Sequence, residues 1–274
     1  MEIREEKEYF QKSFKAREYL QNYYSHIDVR LIRQYVLQRT AASETARIMI
    51  HLAEVAVPTI QSIFRKQQPT LLELGGGPTL YQLFSVAPLV KQVHFTDYTE
   101  DNLREIIRWV QKERGAFDWR PYALVALMLK NDSPKASNRE VKNLEQTLRE
   151  KITKIAHCDI FRRGLGLERR YYDIISTHFV AESATSSKAV WRKAIRNISA
   201  KLSSGGLLIM SALRGARGSY KVLDKRFPAV QIYESDLYRE LRKNRLGKIR
   251  FSTMKTEDLG NNYRGFIFII AEKD

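Results

Sequence analysis

Short apolar runs alternate with longer amphipathic stretches along most of the chain, and this alternation predicts an α/β fold. The stretches that separate the first five apolar runs have apolar residues at helical spacing. This pattern indicates parallel strands joined by crossover helices. The last two runs have only a polar loop between them, so we expect the sheet to end in one antiparallel strand at its edge. The expected strands are residues 71–74, 93–97, 152–159, 172–177, 207–213, 249–253 and 266–271.

The same pattern divides the chain into a cap and a core. Residues 1–67 are polar, tyrosine-rich and helical in pattern, with Ser43 as an expected helix N-cap and Pro58 opening a further helical segment. Residues 68–274 carry the strand–helix alternation, and residues 115–151 form an insertion that begins irregularly and ends in a charged helix. We therefore predict an N-terminal helical cap on a Rossmann-like core.

The stretch 71–81, Leu-Leu-Glu-Leu-Gly-Gly-Gly-Pro-Thr-Leu-Tyr, is the most informative one in the chain. An apolar strand leads into three glycines, and Pro78 suits the first position of a helix that would follow them. Glycines let a ligand approach the backbone closely. A strand, a glycine turn and a helix in this order are typical of nucleotide sites at the carboxyl end of a sheet. An ordinary tight turn is the alternative.

Asp97 lies about 20 residues beyond the glycines, at the end of the second strand, where an acid can accept both hydroxyls of an adenosine ribose. Leu80 and Tyr81 stand where a dinucleotide-binding motif would have its third glycine. The sequence therefore favours a nucleotide without a pyrophosphate. S-adenosylmethionine, an adenosine with a zwitterionic amino-acid tail, is such a ligand.

Composition narrows the class further. A single cysteine excludes an intramolecular disulfide framework and favours a reducing compartment, so we expect a cytoplasmic location. The N-terminus lacks the apolar stretch of a secretory signal, no apolar run reaches about 18 residues, and the histidines are too scattered to suggest a metal site. The net charge of +16 leaves nucleic acid open as a partner but does not make it the favoured one, because the basic residues are spread among acids. A monomer and a dimer are both compatible with the sequence.

Several motifs together carry a resemblance to a known family. They are Glu-Leu-Gly-Gly-Gly-Pro-Thr-Leu-Tyr-Gln-Leu at 73–83, Thr-Asp-Tyr at 96–98, Gly-Ala-Phe-Asp-Trp-Arg-Pro at 115–121, Arg-Glu-Tyr-Leu-Gln-Asn-Tyr-Tyr at 17–24, His-Cys-Asp-Ile at 157–160 and Ser-Gly-Gly-Leu-Leu at 204–208. The chain resembles the nicotinamide, phenylethanolamine and thioether/indolethylamine N-methyltransferases from about residue 13 onward. The resemblance implies a class I methyltransferase sheet and S-adenosylmethionine as cofactor.

The family pattern also implies a role for individual positions. Tyr19 and Tyr24 would close over the methionine end of the cofactor, Asp97 would hold the ribose, and Asp159 would meet the adenine edge. Each of these residues could instead be structural. The full set implied for the cofactor is Tyr19, Tyr24, Gly75, Gly76, Gly77, Thr79, Tyr81, Asp97, Tyr98, Asn102, Asp159, Ile160 and Thr177.

The sequence defines the residues that would contact the methyl acceptor less clearly. Glu182 aligns with an acid that meets the substrate amine in the family, although it could cap the next helix. His178 is a candidate base or a hydrogen-bonded lining residue. Ser211 stands where the amine-methylating relatives usually carry an acid. A second carboxylate partner for a cationic amine is therefore missing, which speaks against nicotinamide or phenylethanolamine as the substrate. Arg214 and Tyr220 belong to a basic loop that could bind an anionic group of the substrate or simply be solvated.

We therefore expect a methyltransferase that transfers the S-adenosylmethionine methyl group to a small molecule, at the nitrogen of an amine or N-heterocycle. The alternatives are an RNA or DNA methyltransferase and a small-molecule O-methyltransferase. The sequence has no Asn/Asp-Pro-Pro-aromatic motif of base-nitrogen methylation. A non-catalytic or dinucleotide-binding use of the same fold is a further reading that Leu80 disfavours.

Overall fold

The computed structural model describes residues 3–38, 44–256 and 262–274. The expected N-cap at Ser43 and part of the polar loop expected before the last strand, residues 257–261, lie outside the described residues. The helices are α1 (Ile3–Ser13), α2 (Ala16–Tyr23), α3 (Val29–Gln38), α4 (Glu44–His51), α5 (Val57–Ile63), α6 (Glu100–Val110), α7 (Arg120–Asn131), α8 (Asn138–Lys151), α9 (Lys188–Ser199) and α10 (Glu234–Lys243). A π-helical segment, Leu52–Ala56, joins α4 to α5. The strands are β1 (Thr70–Leu74), β2 (Gln92–Asp97), β3 (Ile152–His157), β4 (Tyr172–His178), β5 (Leu202–Leu213), β6 (Ser219–Val222), β7 (Lys225–Pro228), β8 (Leu246–Lys255) and β9 (Gly265–Lys273).

Seven strands form the main sheet, in the order β3-β2-β1-β4-β5-β9-β8. The first five of these are parallel neighbours, and β9 pairs antiparallel with both β5 and β8. The predicted seven-stranded α/β sheet with an antiparallel last strand is confirmed. The expected position of that strand is wrong, because β9 lies one strand in from the edge and β8 forms the edge.

Alternation along the strands sends apolar side chains to both faces of the sheet. Leu71 and Ile174 face one core with α2 to α8, whereas Leu72 and Ile175 face the other core with α9 and α10. All four side chains are fully buried. Because both faces are covered, the strands read as nearly continuous apolar runs, as is typical of parallel sheets.

Two local predictions on the core were wrong. Residues 78–86 form successive turns instead of a helix, with a short 3₁₀ segment at Ala87–Leu89. The Thr79 hydroxyl donates to the Gly76 carbonyl at 2.8 Å, and the Gln82 amide donates to the Thr79 carbonyl at 3.1 Å. These side chains occupy carbonyls that helical N–H groups would otherwise use. Conversely, residues expected to be irregular contain the regular helix α7, which starts beside Pro121 at its N-terminus, where proline is tolerated.

The hairpin β6–β7 was not foreseen, and it completes the cap. Phe227 on β7 packs against Phe10 of α1 and against Phe14, which follows that helix, with ring centroids 5.0 and 6.0 Å away. The Tyr23 hydroxyl of α2 accepts a hydrogen bond from the Leu223 N–H at the hairpin tip. The N-terminal helices and the hairpin therefore form one layer above the carboxyl ends of the parallel strands.

Gly75, at the end of β1, should be the least replaceable glycine of the turn. Its φ is +66°, and an added Cβ would lie 2.6 Å from a methyl group of Val180. Gly115 has a φ of +80°, and an added Cβ would meet no atom there. Its replacement by alanine therefore measures the cost of the backbone conformation without a steric clash. In urea unfolding we expect Gly115→Ala to cost about 1–2 kcal/mol and Gly75→Ala about 1–3 kcal/mol more. Adding Val180→Ala should recover part of the extra loss; equal losses in the two glycine variants would contradict the steric argument.

Candidate active site

A cavity of about 350 Å³ lies at the carboxyl ends of the parallel strands, beneath the cap. Its walls come from the glycine turn after β1, the ends of β2, β3 and β4, helices α1, α2 and α4, and the hairpin strand β6. Parallel strands present their carboxyl ends together, so ligand-binding residues from distant parts of the chain converge there.

Asp97 connects the glycine turn to the end of β2. One carboxylate oxygen accepts the Gly77 N–H at 2.9 Å, and the other accepts the Thr99 N–H at 2.8 Å and the Asn102 side-chain amide at 2.9 Å. Asp97 is 6% exposed, and burial raises its pKa against these hydrogen bonds. An acid held by three donors has a fixed orientation, with its remaining acceptor capacity available to a ligand.

Glu73 lies beneath the same turn and was not among the residues expected at the site. One of its carboxylate oxygens accepts the Gln82 amide at 3.0 Å, and the other is buried with no hydrogen-bond partner among the described residues. Burial raises the pKa of Glu73 to about 8, against hydrogen bonds from Ser176 and Gln82. The better-formed contact of the Ser176 hydroxyl is with His178, at 3.0 Å. A buried carboxyl with a free oxygen is a fitting partner for a cation.

A second part of the cavity has flat, mostly apolar walls beyond Asp97. Tyr98, Cys158, Ile160 and Phe161 line it. Cys158 is buried, and burial raises the pKa of its thiol to about 12, so it is a neutral wall residue. The carboxylate of Asp159 lies at this end, where it is paired with Lys7 of α1.

The opposite end of the cavity is aromatic. Tyr24 stacks on Tyr81 with ring centroids 5.5 Å apart, and its hydroxyl lies 3.3 Å from that of Tyr19. Burial raises the pKa of each of these three phenols, so they are neutral. Tyr220 of β6 adds a fourth tyrosine to this wall, and its pKa is raised by burial as well.

The end of β4 contributes a histidine between two serines. The ring nitrogens of His178 lie 3.0 Å from the Ser176 hydroxyl and 2.9 Å from the Ser211 hydroxyl. Burial, with a smaller contribution from nearby His51, lowers the pKa of His178 to about 3. The imidazole is therefore uncharged at neutral pH, and its orientation is fixed from both sides.

The structure brings together most, but not all, of the residues predicted from sequence. Glu182, Thr177, Ser211 and Arg214 do not line the cavity. The Glu182 carboxylate is 1% exposed and accepts the Leu213 N–H at 2.9 Å, while Arg214 pairs with Glu234 at 2.8 Å. The predicted residues that do line the cavity are Tyr19, Tyr24, Gly75, Gly76, Gly77, Thr79, Tyr81, Asp97, Tyr98, Asn102, Asp159, Ile160, His178 and Tyr220. Their functional roles stay predictions.

Comparison with known proteins identifies the chain. A model of the NNMT/PNMT/TEMT family matches residues 2–274. The chain belongs to this family. It is therefore an S-adenosylmethionine-dependent methyltransferase of the small-molecule class, and the predicted family, enzyme class and cofactor are confirmed at this level.

The curated relatives are distant in sequence. The chain is 28% identical to mouse indolethylamine N-methyltransferase over 74% of its own length and 76% of the relative's. It is 30% identical to human nicotinamide N-methyltransferase over 59% of its own length and 60% of the relative's. It is 28% identical to bovine phenylethanolamine N-methyltransferase over 61% and 59%, respectively.

Solved structures agree on the fold. The magnesium protoporphyrin IX methyltransferase of Synechocystis superimposes with a TM-score of 0.56 at 12% identity, covering 99% of this chain and 97% of that one. A methyltransferase from Methanosarcina mazei gives a TM-score of 0.51 at 14% identity, over 79% and 97% of the two chains. These likenesses confirm a class I methyltransferase fold.

The cavity suits S-adenosylmethionine chemically. The added-Cβ position of Gly77 meets only open space, and the unpaired carboxylate oxygen of Glu73 and side-chain carbonyl of Asn102 both belong to cavity-lining residues. These acceptors match donors that the cofactor carries, its ammonium, ribose hydroxyls and adenine amine. Among the described residues, no helix is long and apolar enough to cross a membrane, and no cluster of His, Cys, Asp and Glu is placed to hold a metal.

Cofactor binding should release a proton from Glu73. The ammonium of the cofactor tail favours the ionised carboxyl, so the pKa of Glu73 falls from about 8 on binding. Affinity for S-adenosylhomocysteine should then rise with pH up to about 8 and level off above it. Calorimetry at pH 7.5 in two buffers of different ionisation enthalpy measures the proton release.

Glu182→Gln is the matched control, because burial raises the pKa of Glu182 to about 7 but Glu182 lies outside the cavity. Glu73→Gln should abolish the release, and Glu182→Gln should keep it. Identical proton release in wild type and Glu73→Gln would contradict the assignment.

Asp97→Asn should weaken cofactor binding about 10- to 100-fold, since charge-assisted hydrogen bonds contribute about 1.5–3 kcal/mol each. Asp101→Asn changes an acid four residues further on that pairs with Arg104 at the surface, and should leave binding unchanged. Equilibrium titration with S-adenosylhomocysteine gives both dissociation constants. Undiminished affinity in Asp97→Asn would place the ribose elsewhere.

Proposed function

We propose that this enzyme methylates the ring nitrogen of a small, flat, uncharged aromatic heterocycle. The observation that carries the proposal is the charge of the acceptor end, where no described carboxylate is available to a cation. Its described walls are tyrosines, phenylalanines, aliphatic side chains, the hydroxyls of Thr45 and Ser183, the neutral His178, and Lys221, which is itself a cation.

Each acid that lines the cavity is accounted for elsewhere. Glu6 accepts the N–H and hydroxyl of Ser186, at 2.9 and 2.7 Å. Asp159 is paired with Lys7. Asp97 and Glu73 lie at the glycine turn, where the ribose and the amino-acid tail of the cofactor would bind. A protonated amine at the acceptor end would therefore be desolvated without a counter-charge, which is costly.

The chain keeps the fold of its amine-methylating relatives. The two acidic contacts to the substrate that the family pattern implies are not available in this structure. The hydroxyl of Ser211 bonds to His178, and Glu182, the other acid expected from the family, is used to fix the Leu213 backbone. The Glu182 carbonyl also accepts the Val230 N–H at 2.9 Å. These contacts support a structural role for Glu182, joining the loop after β4 to the segments after β5 and β7.

A pyridine-type nitrogen needs no base, because its lone pair is available without loss of a proton. The bound cofactor supplies an electrophilic methyl group. The protein holds the nitrogen in line with that group, and positioning of this kind can contribute about 7–11 kcal/mol to lowering the barrier. His178, with a pKa of about 3, suits a fixed wall better than a general base. The stacked tyrosines favour the positive charge that passes to the product.

The two alternatives are less well supported. O-methylation of a phenol needs removal of a proton, and the described acceptor end lacks a group titrating near neutrality. An RNA or DNA strand would have to reach the cavity past α1, α2 and the β6–β7 hairpin, whose contacts close the cap.

A methyl-transfer screen read as S-adenosylhomocysteine release tests the proposal. At pH 7.5, uncharged pyridines and quinolines should give kcat/KM values at least tenfold above those of alkylamines of similar size, which are protonated. With the cofactor saturating, so that the ionisation of Glu73 no longer limits binding, the rate on a pyridine should rise with pH only through the substrate's own pKa and then stay level, in wild type and Glu182→Gln alike. Preferential turnover of alkylamines would refute the acceptor class, and transfer to tRNA or rRNA would favour the nucleic-acid alternative.

A further inference from the structure

A row of polar side chains on one face of the sheet links the glycine turn to the acceptor end of the cavity. Glu73 of β1 is the register partner of Ser176 on β4, and His178 of β4 is the register partner of Ser211 on β5. Ser176 and His178 are two positions apart, so their side chains point to the same face. Glu73 is fully buried, and each of the two serines is 2% exposed.

The contacts along this row are continuous. The Ser176 hydroxyl stabilises the ionised form of the Glu73 carboxyl and lies 3.0 Å from Nε2 of His178. Nδ1 of the same ring lies 2.9 Å from the Ser211 hydroxyl. Polar groups buried in an apolar sheet are costly unless they satisfy one another, so the proton positions along the row depend on each other.

The Ser176 hydroxyl has a single proton, and this fixes the tautomer of His178. A neutral imidazole donates from one nitrogen and accepts at the other. If Ser176 donates to Nε2, the ring proton is on Nδ1 and is donated to Ser211. If Ser176 donates to Glu73 instead, its oxygen accepts from Nε2–H, and Ser211 donates to Nδ1.

The protonation state of Glu73 decides between these two arrangements. A neutral Glu73 has an O–H that can donate to Ser176, which leaves the Ser176 proton for Nε2 of His178. An ionised Glu73 is an acceptor only, so it takes the hydrogen bond from Ser176. Burial raises the pKa of Glu73 to about 8 and keeps the carboxyl neutral at pH 7. A nearby ammonium favours the ionised form.

We propose that Ser176 is a positioning residue through which cofactor binding sets the tautomer of His178. The inference rests on the proposed function, which places the cofactor ammonium beside Glu73. On binding, Glu73 loses its proton to solvent, and the Ser176 hydroxyl turns from Nε2 to the carboxylate. The His178 ring gives up its Nδ1 proton and takes one at Nε2 by exchange with solvent. The ring stays neutral, and one proton is released in total.

This exchange changes the acceptor end without any movement of the backbone. The N–H side of the His178 ring faces Ser211 before the cofactor binds and Ser176 afterwards, so the ring dipole reverses. His178 lines the cavity, whereas both of its nitrogens are held by serines. Three side chains in contact, with two discrete arrangements, meet the physical requirement for coupling two parts of a site.

Nitrogen NMR of histidine side chains tests the inference, because protonated and unprotonated ring nitrogens resonate far apart. ¹⁵N-histidine-labelled protein is compared at pH 7 with and without saturating S-adenosylhomocysteine, which carries the same ammonium as the cofactor. In wild type, the ligand should move the His178 proton from Nδ1 to Nε2. His178→Asn identifies the signals by their loss. His94, which contacts the Tyr172 hydroxyl outside the cavity, should not change.

Three variants show whether the effect passes through the row. Ser176→Ala removes the link and Glu73→Gln removes the ionisation, so each should show the same His178 tautomer with and without the ligand. Ser199→Ala is the matched control, since it removes another buried serine hydroxyl, one with no hydrogen-bond partner among the described residues. It should respond like wild type. Thermal unfolding and ligand titration establish that each variant is folded and saturated.

Two results would overturn the inference. One is a wild-type His178 tautomer that does not change when the ligand binds. The other is the full wild-type change in Ser176→Ala, because the ligand would then act on the ring directly and not through the serine.

The calorimetric proton release separates this inference from the cofactor placement on which it rests. Proton release that depends on Glu73, together with an unchanged His178 tautomer, would reject only the inference. Absence of that release would reject the placement of the ammonium. Preferential turnover of alkylamines would refute the proposed acceptor class whichever tautomer is observed.

Discussion

The carboxylate of Asp97 is the constraint on which the site depends. It joins the glycine turn after β1, the end of β2 and the start of α6 through three donors. Burial alone favours the neutral acid, and the hydrogen bonds oppose this by stabilising the charge. The glycine turn thus has its conformation set by an acid from the next strand. The cradle predicted for the cofactor is therefore formed by two adjacent strands, not by the turn alone.

The end of the cavity where we propose that the methyl acceptor binds is built mainly from uncharged groups. Instead of charge, it uses neutral groups fixed by mutual contacts, the stacked Tyr24 and Tyr81 and the His178 ring between two serines. Burial moves the pKa of each titratable member away from neutrality in the direction of the uncharged form. Such a wall keeps one protonation state over a wide pH range, so under the proposed function the ionisation of the acceptor itself decides when it can react.

The sequence was sufficient to predict structure wherever the interactions that determine it lie between residues close together in the chain. Apolar runs placed the strands of the main sheet to within a few residues. The spacing from the glycines to Asp97 pointed to two segments that do line one cavity. The turns at 78–86 were mistaken for a helix because the side chains of Thr79 and Gln82 compete with backbone bonds, which helical periodicity does not reveal. Glu73 was visible as an acid before the glycines, but its importance depends on burial. Lys7 and Asp159 meet only through tertiary structure, so one sequence could not join them.

The place of β9 has a consequence for how the molecule acquires its structure. β9 follows every other strand in the chain, yet it lies between β5 and β8 and supplies the backbone partners of both. Until β9 is available, β5 has an unpaired edge and β8 has no neighbour in the sheet. Unpaired strand edges readily associate with other chains. During synthesis, the parallel half of the sheet can therefore form first, but completion waits for the final strand, and this interval is when the chain is most exposed to aggregation.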